Sequence, residues 1–297
     1  MKVIFRHIVP DDPPRVRLDR YLADELPHFP SKSSVKKAAK RGEILVDGEK
    51  CDAGAFVVAQ WCVEVLQGAV PSPQVFRLPL EVVYEDETIA VVNKPPGFPV
   101  TGNRHRTVQH ALPFNLQRAT GPEALQDPLP AHRLDAPTGG LLVVAKTRPA
   151  LAALGHAFQE RRVEKEYRAI VVGRLEGEGW IEQDVDGRNA ATRYSPVLYS
   201  RSLKSQWLTT VALFPKTGRT HQLRQHMLFV GTPILGDSLY HHDGLLFRGK
   251  GLFLCAIRLR FPHPVTGESL EITIDEPTKF VSLRLRENRR WEKYFPP

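Results

Sequence analysis

Three short stretches carry residue types able to do chemistry. Residues 131–147 read AHRLDAPTGGLLVVAKT, with His132, Arg133 and Asp135 massed ahead of a Pro-Thr-Gly-Gly turn and the apolar run Leu141–Ala145. That run reads as a short buried strand. A carboxylate at the mouth of such a strand is either neutralised by a partner or held for reaction, because a buried unpaired charge is strongly disfavoured. The second stretch is Lys165-Glu166-Tyr167-Arg168-Ala169. Strand alternation puts Lys165 and Tyr167 on one face, Glu166 and Arg168 on the other. The third is TGRTHQLRQHM, where Thr220 is placed to cap a helix that Gly231 ends. In it His221, Arg224, Gln225 and Leu228 follow the i, i+3, i+4, i+7 pattern of one face. A guanidinium on a half-buried stripe requires an anion. Taken singly, each element has a plain structural reading. His132 serves as a hydrogen-bonder, Tyr167 as a core residue of an amphipathic strand, and Asp135 as a turn former.

The elements that must position these residues follow from the pattern around them. From Leu80 onward short strands dominate, and two apolar runs flank Glu85-Asp86-Glu87 as in a hairpin. The polar stretch 103–130 has little strand signal and one short helix near Val108–Leu112. Pro149 suits the first turn of a helix running to about Arg162. Strands are expected at KEYRAIVVG, Tyr194–Leu198, Trp207–Phe214, Leu252–Phe261 and Glu271–Ile274, with a solvent-exposed excursion at 176–193 and a helix at 221–230. Many strands with few helices indicate an α+β, antiparallel-sheet-rich domain over 80–297.

Residues 13–67 differ in texture and read as a small α+β domain, joined by a Gly- and Pro-containing linker at 68–79. Leu18, Tyr21, Leu22 and Leu26 recur at helical spacing until Pro27. Ser31 or Ser33 can cap a second helix that stops at Gly42, and Asp47-Gly48 marks a hairpin. On that second helix Lys32, Lys36 and Lys40 share one face, with Lys37 and Arg41 beside them and no acidic i+4 partner. Such a face fits phosphate binding.

Composition narrows the classes. The 297 residues carry 41 Lys and Arg against 33 Asp and Glu, a net charge of +8, which points to a polyanionic partner such as nucleic acid. No apolar run approaches the roughly 20 residues of a membrane span. The start MKVIFRHIVPDDPPR lacks the features of a signal peptide. Three scattered cysteines make neither a disulfide framework nor a zinc site, and a reducing cytoplasm is the expected location.

Together the chemistry-bearing stretches resemble the RluA-type family of RNA pseudouridine synthases, through YEDETIAVVNKPPGFPV, HRLDAPTGGLLVVAKT, KEYRAIVVG, KTGRTHQLRQHM, GTPILGDSLY and RFPHPVTGE. The order RLDRYL, Ser-x-x-Val and basic helix, then GEILVDGE resembles the small RNA-binding domain shared by a ribosomal small-subunit protein and several RNA-modifying enzymes. The first resemblance implies that Asp135 is the catalytic aspartate, Tyr167 the tyrosine stacking on the target base, and Arg224 the arginine paired with the aspartate. It also implies that Arg133 fills the gap left by the flipped-out base. The second assigns Lys32, Lys36, Lys37, Lys40 and Arg41 to RNA binding. The implied reaction breaks the bond from ribose to nitrogen 1 of uracil, turns the base and rejoins the sugar at carbon 5. A carboxylate can serve it as nucleophile or base. The expected substrate is structured RNA, large-subunit rRNA or tRNA, with no cofactor, no metal, no membrane and a monomeric enzyme.

Three other readings compete. A non-catalytic RNA-binding protein would lack Asp135, Tyr167 or Arg224, and all are present. A nucleosidase would use two carboxylates, for example Asp135 with Asp237. A metal site at His241-His242-Asp243 would need a third ligand at suitable spacing.

Overall fold

In the computed structural model the described residues are 3–26, 29, 31–66, 75–102, 104–242, 249 and 251–296. The chain divides into two compact units, 1–73 and 74–297.

The first unit holds β1 (Val3–Ile8), α1 (Leu18–Glu25), α2 (Lys32–Arg41), β2 (Ile44–Val46), β3 (Glu49–Lys50) and β4 (Cys62–Leu66). Its four strands are ordered β1-β4-β2-β3. Leu18, Tyr21 and Leu22 of α1 and Val35 and Ala38 of α2 bury against Ile44, Val46, Val63 and Val65 of the sheet. Ser31 caps α2 in a reciprocal capping box with Ser34, and Gly42 ends it in the left-handed conformation. A start at residue 13 leaves out β1, which pairs along β4 and belongs to this sheet. The expected linker lies partly outside the described residues; its end does not, and Phe76 and Leu78 pack on the core of the second unit.

The second unit contains β5 (Glu81–Glu85), β6 (Ile89–Lys94), α3 (Val108–Asn115), β7 (Ala124–Pro130), β8 (Gly139–Thr147), α4 (Arg148–Gln159) and β9 (Glu164–Val172). It continues through β10 (Gly179–Ile181), β11 (Thr192–Ser202), β12 (Gln206–Pro215), α5 (Gln222–Phe229), β13 (Leu254–Pro262), β14 (Ser269–Thr273) and α6 (Thr278–Tyr294). The main strand order is β10-β11-β12-β9-β13-β8-β6-β5, with β14 on β13 and β7 on β8. Strand period 2 sends alternate residues to opposite layers. Tyr167, Ala169 and Val171 of β9 join the core on one face with Leu223 and Met227 of α5. Ile170 and Val172 face the other layer, with Cys255, Ile257 and, from α6, Phe280 and Leu283.

One seam in this sheet is parallel. Among the described residues β13 meets β8 only at Cys255↔Gly139 and Ala256↔Gly140, and the other strand pairs of this sheet are antiparallel. The seam closes because residue 140 is glycine: its φ is +110°, and a Cβ there would be driven into the Ala256 backbone. The loop bearing Asp135 enters the sheet at this junction.

Four elements escape the sequence reading. β1 and β7 are strands where none was expected, and α6 is a helix of 17 residues. β10 pairs with β11 inside the stretch 176–193 expected to be solvent-exposed, where Ile181, Val185 and Ala190 are buried. Thr220 does not cap α5; His221 holds that place with φ +56° and no side-chain cap. The buried residues of α5 are Gln222, Leu223, Arg224, His226 and Met227, so the expected stripe through His221, Gln225 and Leu228 is displaced. The left-handed residue re-aims the first turn.

Gly140→Ala combines a positive φ with backbone overlap, and either effect alone is destabilising. The variant is expected to lose at least about 3 kcal/mol of unfolding free energy in urea titration. Wild-type stability would contradict the account of the seam.

Candidate active site

The side chains singled out in the catalytic unit converge on one cleft. It encloses about 480 Å³ and is lined by Arg133, Asp135, Lys165, Tyr167, His221 and Arg224, among others. That volume falls in the range of pockets that enclose a small ligand.

Asp135 sits on the loop that precedes β8, and its backbone carbonyl accepts from Thr138 N at 3.0 Å. The following residue is held from beneath. Lys94, a fully buried lysine at the end of β6, donates from Nζ to the carbonyls of Pro95 at 3.0 Å and Ala136 at 3.1 Å. Burial lowers the Lys94 pKa to about 8, with Asp135 pulling the other way. The Ala136 carbonyl also accepts from Gly97 N at 2.7 Å. The Asp135 side chain is 16% exposed, with Arg224 Nη1 at 3.7 Å and His221 Nε2 at 3.9 Å.

Arg224 is anchored elsewhere. Its Nε and Nη2 donate to Asp237 at 2.6 and 2.7 Å, and the Asp237 side chain is 0% exposed. The expected pairing with Asp135 is therefore an ion pair without a hydrogen bond, and the guanidinium's bidentate partner is Asp237. Backbone N–H groups of Leu239 and Tyr240 also donate to Asp237, at 2.9 and 3.0 Å. Burial works against the charge of both groups, but these hydrogen bonds and the mutual attraction outweigh it. The Asp237 carboxyl is held below its ordinary range and the Arg224 guanidinium above its own. Gly236, at φ +77°, lets the chain turn into this position, where a Cβ would meet the Gly251 carbonyl. Tyr240 covers the assembly: its ring lies 5.0 Å from the Arg224 guanidinium carbon, and its hydroxyl is 3.1 Å from His221 Nδ1.

With both oxygens of Asp237 engaged, the nucleosidase reading, which needs it as a second free carboxylate, loses its group. No cluster of three metal-ligating side chains occurs among the described residues. Of the candidate ligands His241, His242 and Asp243, the last lies outside the described residues.

Tyr167 is 9% exposed and lines the same cleft from β9. Burial and then the charge of Asp135 push its phenol well above the ordinary range, so it is neutral. Lys165, on the same face, is lowered to about 8 by burial. His132 is structural: its Nε2 accepts from Val143 N at 3.0 Å, and its ring lies 4.8 Å from that of Phe158. Burial, then the nearby Lys165, lowers its pKa to about 3, which keeps it a neutral acceptor. Arg133 is exposed at the cleft. Gln222 shapes the opposite wall. Its Oε1 accepts from Thr217 Oγ1 and Arg219 N at 2.7 and 3.0 Å, and its Nε2 donates to Ala191 O and Thr192 Oγ1, both at 3.0 Å.

The five basic residues of α2 lie in the other unit, and two of them do have acidic partners. Lys36 Nζ is 3.2 Å from Asp19 of α1, and Arg41 makes two 2.5 Å hydrogen bonds to Glu43 just past the helix. An i+4 search along one helix does not see either. Lys32, Lys37 and Lys40 are exposed.

The family profile described as RNA pseudouridylate synthase matches residues 88–229. The chain is 34% identical to the ribosomal large subunit pseudouridine synthase D of Vibrio cholerae, over 94% of each chain. It is 32% identical to an uncharacterized RNA pseudouridine synthase of Aquifex aeolicus, over 90% of this chain and 92% of that one. Two solved human structures are similar. RNA pseudouridylate synthase domain containing 1 has a TM-score of 0.57 and 26% identity, covering 67% of this chain and 84% of its own. Domain containing 4 has a TM-score of 0.56 and 26% identity, covering 75% and 97%. The protein therefore belongs to the RNA pseudouridine synthase family, of the RluA type, and is an isomerase. No helix among the described residues is long and apolar enough to cross a membrane.

Removing one partner of a buried ion pair typically costs 3–5 kcal/mol, because the other charge stays behind. Asp237→Asn is expected to lower stability by about 3 kcal/mol. At temperatures where it stays folded, its kcat should fall about a hundredfold, as for loss of an aimed electrostatic group, with KM for RNA unchanged. A folded variant with wild-type kcat would show that Asp237 does not position Arg224 for the reaction.

Proposed function

We propose that this protein converts uridine to pseudouridine in large-subunit ribosomal RNA, in the cytoplasm, with Asp135 as the catalytic carboxylate. The observation that carries the reading is the meeting in one cleft of Asp135, the Arg224 guanidinium at 3.7 Å and the buried ring of Tyr167. The choice of RNA rests on relatives named for the ribosomal large subunit that match nearly the full chain.

The chemistry follows from these groups. The bond from ribose carbon 1 to nitrogen 1 of uracil breaks, the base turns, and carbon 1 bonds carbon 5. Carbon 5 loses its proton and nitrogen 1 gains one, so no redox partner is needed. The uridine must leave its stack, at a cost of a few kcal/mol. Stacking on Tyr167 recovers about 1–3 kcal/mol, and Arg133 occupies the space left in the RNA. Asp135 acts toward the ribose, its charge balanced by Arg224. The neutral phenol of Tyr167 fits a proton relay better than a standing phenolate base. Its hydroxyl takes the carbon 5 proton as it gives its own to a carboxylate. Lys32, Lys37 and Lys40 bind phosphate, assisted by Lys36 and Arg41 where their acidic partners permit.

Release of tritium from carbon 5 of labelled rRNA tests the assignment. Asp135→Asn should bind RNA as wild type does and lose at least about a thousandfold in rate, the scale at which covalent and general acid-base groups contribute. Retention of more than a few per cent of the wild-type rate would refute it. Tyr167→Phe keeps the ring, and should bind normally while losing about a hundredfold, the lower end for a proton-transfer group. Wild-type turnover by Phe would leave stacking as the whole contribution of Tyr167.

A further inference from the structure

The cleft uses one face of the main sheet. The opposite face carries α6, whose sequence TKFVSLRLRENRRWEKY holds six Lys or Arg and two Glu. That is a net +4 in 17 residues, against +8 for the whole chain. Phe280, Leu283 and Glu287 turn inward. Outward, Ser282, Leu285, Arg286, Arg289, Arg290 and Lys293 line a shallow groove.

Little on the protein neutralises these charges. Arg286 and Arg290 share the buried Glu287, at 3.5 and 3.4 Å. Arg289 and Lys293 have no acidic partner among the described residues. Four cations along two turns repel one another unless an anion lies across them. Nor does the helix yield, because it is pinned along its inner side. Asn288 Oδ1 accepts from Arg201 N at 3.0 Å, and Glu287 accepts from Ser202 Oγ at 3.2 Å. An alternating ladder fixes the C-terminal end. Trp291 lies 4.8 Å from the Arg201 guanidinium, which lies 3.7 Å over Trp207, and Arg174 lies 4.9 Å over Trp207. Phe295 stacks on Trp291 at 4.4 Å. Such cation–aromatic contacts each contribute about 0.5–2 kcal/mol. The basic face is thus held in place by the protein's own contacts.

We propose that the outer face of α6 is a second RNA-binding surface, which grips the phosphodiester backbone on the side of the sheet away from the catalytic cleft. The proposal rests on the reading of the protein as an enzyme of large RNA. A protein partner fits less well, since protein interfaces centre on apolar and aromatic anchors. This groove offers Leu285 alone. Because sheet and helix lie between cleft and groove, a short stem-loop bound in the cleft does not reach α6. A long RNA passing around the sheet does.

The test compares the full-length protein with the triple variant Arg286→Gln, Arg289→Gln, Lys293→Gln, which leaves Arg290 to cover Glu287. Each lost phosphate contact removes about 0.7–0.9 from the salt slope of binding. On a large-subunit rRNA domain transcript the slope should flatten by about two, and Kd at 0.15 M salt should rise by about tenfold. A short stem-loop should bind both proteins equally, and melting curves should coincide. An unchanged slope on the long transcript overturns the proposal and leaves the face to an acidic protein. Equal weakening on the stem-loop overturns it too, since the charges would then act at the cleft. Binding is read whether or not the transcript is modified. Failure of the wild-type protein to modify any RNA counts against the proposed function, and an unchanged slope against this surface.

Discussion

The site depends on a buried charge pair that contributes little to stability on its own account. Arg224 and Asp237 lose nearly all contact with water, and the desolvation of two such ions commonly cancels their attraction. What the pair supplies is direction. Asp237 holds Nε and Nη2, so the remaining nitrogen, Nη1, is left facing Asp135 at 3.7 Å. A guanidinium fixed by Asp135 alone would move whenever substrate displaced that carboxylate. Fixed by Asp237, its position does not depend on Asp135, the kind of arrangement that preorganised electrostatics requires.

Several local irregularities exist to satisfy this arrangement. Gly236 and Gly140 accept backbone conformations and close approaches that a side chain would block. His221 adopts the left-handed conformation so that α5 starts with Arg224 turned inward. Lys94 gives up full exposure, and part of its affinity for a proton, to pin the carbonyl after Asp135. Around them the cleft sorts its polar groups by environment. His132 and Tyr167 stay neutral and Arg224 stays charged, while the Asp135 carboxylate has charged neighbours at 3.7 and 3.9 Å and no side-chain hydrogen bond among the described residues. That carboxylate is the one to which the proposed reaction gives the chemical step.

Local pattern made much of this legible. The alternation that puts Lys165 and Tyr167 on one face of β9 is a property of any strand, and it holds. Ser31 and Gly42 bound α2 as capping chemistry requires. The role of Asp237 was hidden because its contact with Arg224 spans a turn whose path no periodicity records. The partner of Lys36 was hidden likewise, lying on α1, whereas that of Arg41 is two residues on, just past the helix end, where i+4 spacing does not look. α6 escaped because its buried stripe is only Phe280, Leu283 and Glu287, with Pro277 rather than a hydroxyl at its cap. β7 carries Pro128 and Pro130, which argue against a strand, and tolerates them while pairing with β8 alone.

The central claim is that this cleft modifies uridines of large-subunit rRNA. The most direct measurement is a position-by-position map of pseudouridine in that rRNA from cells lacking the gene. The account requires that one or more positions lose the modification and regain it when the intact gene returns. A fully modified rRNA in the cells lacking the gene would contradict it.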